Sequence, residues 1–238
     1  PASGRLDWSV ATTLGGGAVL PDLLFDETVE YAIRNGSAAL DVFGFVVFAG
    51  DFELVKQTLS IDDGDPSDPA TGAVDVDTFT ADALSLSLSN FGMFVGVGGS
   101  LVDDNVSTTT VTDVTDPAYT GDAVGFYMPS GASLDLVILQ NKDVPANKYT
   151  GLQASVTNAG LVASTDFDLT VTGDVQVNRG PAGGDRLDWS AGTGVGNELP
   201  GVTLTMPDDV ELEVNGSAAL DAFGFVVLTV PSFELEKR

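Results

Sequence analysis

The chain of 238 residues contains no histidine and no cysteine, and only 9 of its residues are lysine or arginine. Without histidine, a Ser-His-Asp triad and an imidazole proton shuttle are excluded, and without cysteine there is no thiol nucleophile. Tetrahedral zinc, haem and iron–sulfur sites also lose their usual ligands. Pairs of carboxylates and a Ser-Lys dyad stay open, but no pattern singles out a catalytic residue, and we expect a protein that is not an enzyme.

Acidic residues dominate the charge: 35 aspartates and glutamates give a formal net charge of −26 at pH 7. A surface this negative repels phosphate backbones, so nucleic acid is not expected as a partner. Because no stretch approaches 18 consecutive apolar residues, direct membrane insertion is not expected either.

The composition favours strands joined by polar turns. The acids comprise 27 Asp and only 8 Glu, the chain has 28 Gly and 11 Pro, and 43% of the residues are hydrophobic. Asp and Gly are turn formers, and Leu84, Leu86 and Leu88 alternate with serines as in a half-buried strand. We predict an all-β fold, an elongated repetitive architecture of antiparallel strand pairs. Whether the units form a β-sandwich-like or a β-solenoid-like array stays open.

An internal repeat is the clearest signal in the chain, because residues 1–57 recur as residues 181–238. The shared blocks are RLDWS at 5–9 and 186–190, NGSAALD at 35–41 and 215–221, and FGFVV at 43–47 and 223–227. The offset is 180 or 181 residues. We therefore interpret residues 1–180 as one full repeat period and 181–238 as the start of the next, within a longer array.

The repeated blocks also suggest local structure. Asn-Gly at 35–36 and 215–216 is predicted to form a hairpin turn, because both residues tolerate positive φ. The Ala-Gly-Asp segment at 49–51 is predicted to be a second tight turn, between the apolar runs of GFVVFAGDFEL. Alternation of Val202, Leu204 and Met206, and then of Val210, Leu212 and Val214, predicts two strands of a further pair around Pro207-Asp208-Asp209.

Both tryptophans of the chain lie in the repeated RLDWS block. One interpretation is an aromatic platform for a sugar, with Asp7 or Asp188 beside it. The favoured interpretation is structural, because an anchor between neighbouring units must recur wherever the unit recurs. The same reasoning applies to the repeated phenylalanines. The predicted repeat-interface anchors are Trp8, Phe43, Phe45, Trp189, Phe223 and Phe225.

One acidic segment has the composition of a cation site. Closely spaced carboxylates on a Gly-containing turn supply the oxygen ligands that calcium prefers, and the segment DDGDPSD contains four of them. Its spacing is not that of an EF-hand loop, and a solvated acidic loop is the alternative. The candidate metal ligands are Asp62, Asp63, Asp65 and Asp68, and Ca²⁺ is the only candidate cofactor.

Three longer stretches resemble the long repeats of giant secreted acidic bacterial surface proteins of the hemolysin-type calcium-binding and adhesin-like kind. These stretches are ALSLSLSNFGMFVGVGGS at 83–100, GFYMPSGASLDLVIL at 125–139 and GLVASTDFDLTVTGDVQVNRG at 160–180. The calcium-binding nonapeptides of such proteins are absent. The resemblance implies an extracellular or cell-surface location and a structural or adhesive role.

Three hypotheses about function follow. The leading one is a structural repeat of an extracellular rod, fibre or adhesin stalk, whose partners are neighbouring copies of the same repeat in one chain or a homopolymer. The second is a glycan- or calcium-dependent binding module built on the Asp-rich loops at 61–77 and 103–122. The third is a lipid-carrying open β-sheet, suggested by the continuous apolar runs at 45–48 and 136–139.

Overall fold

A computed structural model describes residues 4–5, 7–8, 26–62, 78–103, 111–115, 123–164, 167–190, 199 and 202–238. Ten strands account for most of this part of the chain. They are β1 (Val29–Val42), β2 (Val46–Asp62), β3 (Thr78–Val97), β4 (Leu101–Asp103), β5 (Val111–Val114), β6 (Val124–Asn141), β7 (Lys148–Ser164), β8 (Phe167–Arg179), β9 (Leu212–Ala222) and β10 (Val226–Lys237). The all-β prediction is confirmed. No helix in the described residues is long and apolar enough to cross a membrane.

Eight of the strands form one large antiparallel sheet in the order β1-β2-β3-β6-β7-β8-β9-β10, and β4 pairs with β5 in a separate two-stranded sheet. Strands β1 and β10 are the two edges. Every pairing in the large sheet is antiparallel, so the predicted antiparallel strand pairs are present within one continuous sheet.

The tight turn predicted at residues 49–51 is wrong, because this segment lies inside β2, a strand of 17 residues. Gly50 serves close packing instead. A Cβ atom added to it would come within 2.4 Å of Phe91 Cβ on the neighbouring strand, so the aromatic residue occupies the space above the glycine. The strands are longer than the usual five or six residues, which is why an internal glycine resembled a turn.

The hairpin turns predicted at Asn35-Gly36 and Asn215-Gly216 are also wrong, because both pairs lie within strands. Asn35 has a φ of 52° and sits where the β1–β2 register shifts, which is the geometry of a β-bulge. Asn90 and Asn158 have φ values of 50° and 54° at register shifts in β3 and β7. The positive φ expected for the first asparagine is real, but it bulges a strand rather than closing a hairpin.

One face of the sheet is covered by the segment that follows β8, and we call it the covered face. A buried cluster joins sheet residues to this segment, and its members are Ile61, Ala81, Ala83, Val137, Leu139, Leu187, Trp189, Leu199, Val202, Leu204 and Met206. We call the described residues that cover this face, 187–190, 199 and 202–207, the strap. Residues 202–206 are extended and every second one is buried, but they belong to no sheet, so they form part of the strap and not the predicted strand. A second cluster on the same face places β5 over β2 and β3 through Val47, Phe94 and Val114.

Candidate functional site: the junction between the repeated segments

The two copies of the repeated sequence form matching hairpins at opposite edges of the sheet. Strands β1 and β2 pair with Leu40 opposite Phe48, and β9 and β10 pair with Leu220 opposite Leu228. The second strand of the first hairpin continues into the sheet through β3, whereas the first strand of the second hairpin joins the sheet through β8. The first copy therefore shows a strand paired with the second strand of the hairpin, and the second copy shows a strand paired with the first.

The second copy begins with a tryptophan buried against strands that precede it. Trp189 is 0% exposed, and its Nε1 donates a hydrogen bond to Asn178 Oδ1 on β8 at 2.9 Å. A Cβ atom on Gly151 of β7 would lie 2.8 Å from the indole, so this glycine makes the room for the ring. The indole therefore requires both a glycine and an asparagine from the preceding strands.

Asn178 is the polar centre of this junction and is itself fully buried. Its Nδ2 donates to the carbonyl oxygens of Leu187 and Pro207 at 2.8 and 3.0 Å, while its Oδ1 accepts from the tryptophan. The backbone N–H of Trp189 donates to the carbonyl oxygen of Met206 at 2.9 Å. The asparagine thus ties the start of the strap to its end, and the burial of each amide atom is compensated by a hydrogen bond.

Arg186 also connects the two ends of the strap, through hydrogen bonds at the protein surface. Arg186 donates to the carbonyl oxygens of Asp208 and Asp209 at 2.6 and 3.0 Å. The equivalent residue of the first copy, Arg5, donates to the carbonyl oxygen of Thr28 at 3.4 Å. Thr28 and Asp209 are 181 positions apart, as are the two arginines, so the arginine contact is repeated in both copies.

The first copy has the same tryptophan in a different setting. Trp8 is 38% exposed and lines an open cavity with Arg5, Asp26, Tyr31 and other residues at the start of β1. No strand of the described residues lies beyond the β1 edge. The same residue is therefore buried where strands precede the repeat and partly exposed where they do not.

The other four predicted anchors lie at the tips of the two hairpins. In each turn a phenylalanine and a glycine have positive φ, 53° and 70° for Phe43-Gly44 and 59° and 65° for Phe223-Gly224, as in a type I′ turn. Phe43 is 93% exposed and Phe225 is 91% exposed, and Phe45 and Phe223 are also exposed. Their role as anchors stays a prediction.

Three of the four candidate calcium ligands lie outside the described residues, so the calcium site stays a prediction. Asp62 is the last residue of β2, and Asp63, Asp65 and Asp68 lie outside the described residues. The described residues contain no group of three or more acidic side chains arranged to hold a metal ion.

Asp26 and Asp135 have pKa values shifted in opposite directions. Hydrogen bonds from Thr28 lower the pKa of Asp26 below 3.8, the hydroxyl contributing most, at the turn that begins β1. Burial raises the pKa of Asp135, which lies on the covered face opposite Ser87. Each shift follows from the hydrogen bonds and burial of the group itself.

Gly151 and Asn178, the two strand residues on which the buried tryptophan depends, were not predicted from the sequence. Both lie before the second copy, and the chain has no second version of β7 or β8 with which to compare them. By fold, this protein belongs to the all-β class built on one large antiparallel sheet. No family model, no curated protein and no solved structure matches the chain.

Proposed function

We propose that the chain is a non-enzymatic structural repeat of an extracellular rod or fibre, in which the antiparallel sheet continues from one repeat period to the next. The carrying observation is the contrast between Trp189, buried on the strands before it, and Trp8, partly exposed at the sheet edge. Neighbouring copies of the same repeat are the partners in this proposal. The extracellular location is supported by the resemblance of three stretches to secreted surface repeats.

The pairing of β8 with β9 supplies the geometry of the continuation. Strand β9 repeats β1, and it meets β8 over eleven consecutive residue pairs from Phe167–Ala222 to Val177–Leu212. A strand equivalent to β8 from a preceding period would meet the open edge of β1 in the same way. Likewise, β10 repeats β2, whose far side is occupied by β3. Both open edges are thus matched to strands that the repeat itself contains.

The position of the strap supports contact between each period and the period before it. The strap belongs to the start of the second copy, yet its apolar side chains pack on β2, β3 and β6 of the first period through Ile61, Ala83 and Leu139. Each period would cover the face of the one before it, so neighbouring periods interlock by strap as well as by strand pairing. Burial of several large apolar side chains is worth about 1.5–3 kcal/mol for each of them.

A tandem chain tests this proposal. Residues 1–180 are placed ahead of the full chain so that Gly180 is followed by Pro1, which preserves the natural Gly180-Pro181 junction. The outer Trp8 and Trp189 are replaced by phenylalanine, which leaves the inner Trp8 as the only indole. We expect its fluorescence to shift to shorter wavelength and to be protected from acrylamide, relative to a single chain with Trp189→Phe.

The control is the same tandem with Asn178→Leu in its first period, which removes the hydrogen-bond acceptor proposed for the inner Trp8. Its inner indole should lose part of the protection. If the inner Trp8 of the unmodified tandem is quenched as readily as Trp8 of the single chain, continuation of the sheet through this edge is wrong.

A further inference from the structure

The face opposite the strap is apolar from one edge of the sheet to the other, and we call it the apolar face. One row of directly paired residues crosses all eight strands: Val42, Val46, Val95, Phe126, Leu161, Leu169, Leu220 and Leu228. A second row crosses seven strands: Ile33, Leu54, Leu86, Leu136, Leu152, Val177 and Leu212.

Both rows lie on the same side of the sheet. They cross β8 at Leu169 and Val177, eight positions apart in a strand whose pairing with β9 is regular, so the two side chains point the same way. Asn178 follows Val177 directly and carries the buried tryptophan, which places the strap on the other side. Between the rows β8 adds Val171, Gly173 and Val175, so no charge interrupts the face on this strand.

The described residues provide no cover for the apolar face. The buried cluster on this side consists of residues from β2, β3, β6 and β7 that contact one another across the strands. Both clusters that include a strap or β5 residue are on the covered face. Members of the two rows at the sheet margins, such as Ile33, Val42 and Leu228, are exposed.

The dimensions suit a second sheet. Eight strands spaced about 4.8 Å apart are about 38 Å wide, and five rows of side chains about 6.8 Å apart are about 30 Å deep. The resulting face measures roughly 1,100 Å², compared with the roughly 800 Å² that each partner buries in a stable protein complex. Apolar patches on monomeric proteins are normally about 300–600 Å², so a face this large is one that soluble proteins cover.

The distribution of charge favours a second copy of the chain as the partner that covers the apolar face. The chain has a net charge of −26, yet the residues of both rows are uncharged, so two copies can meet through this face while their carboxylates stay outside. A bound lipid would instead require a polar site for its headgroup, and the one charged residue paired into either row is Lys237, opposite Leu212 at the β10 edge, where it forms an ion pair with Glu211. Two like faces also match each other in size and row spacing, as an isologous interface requires.

We propose that the apolar face is an interface between two copies of this chain, packed face to face as a two-layered β-sandwich. The interface is separate from the edge pairing proposed above and adds a lateral contact to a longitudinal one. The two arrangements predict different assemblies. An isologous face closes at a dimer, whereas edge pairing between copies is heterologous and continues into longer oligomers.

Sedimentation of the full chain tests the proposal. We expect a dimer at micromolar concentration, and we expect Leu86→Glu with Leu136→Glu to weaken dimerisation by at least about 100-fold, because four unpaired carboxylates would be buried within the interface. The matched control is Thr170→Glu on the covered face, where Ala219 and Gly160 are the residues directly opposite. This variant should dimerise as the parent chain does.

A milder variant keeps the test decisive if the double glutamate variant does not fold. The chain has no cysteine, so Leu136→Cys introduces a single thiol on the apolar face, and Thr170→Cys introduces one on the covered face. A short bis-maleimide should link Leu136→Cys into covalent dimers and leave Thr170→Cys monomeric. A monomer at 100-fold higher concentration, a ladder of oligomers unchanged by the glutamates, or a monomer carrying lipid in native mass spectra would each overturn the proposal.

Discussion

Replacing each tryptophan by alanine separates the buried anchor from its exposed copy. Trp189→Ala removes an indole that is 0% exposed, while Trp8→Ala removes one that is 38% exposed, from the same repeated RLDWS block. The two substitutions are chemically identical, so any difference in the free energy of unfolding reflects the surroundings. The buried tryptophan should be the more costly one to remove.

The size of the difference follows from the contacts. An indole buries about 200 Å², and at about 25 cal/mol per Å² complete burial is worth about 5 kcal/mol, against about 3 kcal/mol for a side chain that remains more than a third exposed. Trp189→Ala also leaves Asn178 Oδ1 without its donor, which adds about 1 kcal/mol. We expect Trp189→Ala to cost about 2–3 kcal/mol more than Trp8→Ala.

Urea unfolding followed by far-ultraviolet circular dichroism measures both losses without relying on tryptophan fluorescence. The slope of the free energy against urea should stay constant, so that a shifted midpoint reports stability. In a separate measurement, Trp8→Phe leaves Trp189 as the single indole, and acrylamide should quench it poorly. Equal losses for the two alanine variants, or free quenching of Trp189, would refute the reasoning.

Four further predictions concern the turns and the carboxyl groups of Asp26 and Asp135. Phe43→Asn should raise the free energy of unfolding by about 1 kcal/mol, since Phe43 is 93% exposed and Asn tolerates positive φ better. Gly44→Ala should cost more than Gly224→Ala, because both glycines have positive φ but only at Gly44 would a Cβ meet a backbone oxygen, at 3.0 Å. The lowered pKa of Asp26 stabilises the folded state at pH values above 3.8, and this stabilisation is lost as the pH falls through the lower pKa of the folded state. Asp26→Asn should therefore reduce the loss of stability at low pH. Burial raises the pKa of Asp135 in the folded state, so the ionised carboxylate at pH 7 destabilises the fold. Asp135→Asn should therefore raise the free energy of unfolding at pH 7. Urea midpoints measured across pH 2–8 check the last two, and slopes of the same sign for both carboxyl groups would contradict them.

Composition and alternation were enough to predict the strands but not their lengths. The Leu84–Leu88 alternation is one part of β3, which runs for 20 residues. The glycines and asparagines that resembled turns, such as Gly50 and Asn35, lie inside strands because they provide space under an aromatic ring or form a bulge. A turn and a bulge use the same residue types, so local sequence does not distinguish them.

The covered face could not be predicted for a different reason. The alternation of Val202, Leu204 and Met206 matches a strand, but the strap packs on the sheet by its side chains and pairs with no neighbouring strand. Pairing depends on partners far away in sequence, and the residues that receive the strap, Gly151 and Asn178, have no repeated counterpart. The repeat in the sequence pointed to Trp189, whereas its contacts with Gly151 and Asn178 could be identified only from the fold.

The change of repeat offset from 180 to 181 has a structural cause. In the first hairpin one residue of β2, Asp51, lies between the Ala38–Gly50 and Gly36–Phe52 pairs. On β10 two residues, Pro231 and Ser232, lie between the equivalent Ala218–Val230 and Gly216–Phe233 pairs. A shift of one residue without a bulge would turn every later side chain to the other face. The bulge absorbs the extra residue, so each phenylalanine ring still lies over its glycine, 2.7 Å from the position of a glycine Cβ in both copies. Insertions are therefore accommodated in the bulge while the apolar face keeps its register, and this register is the property that face-to-face packing of two copies requires.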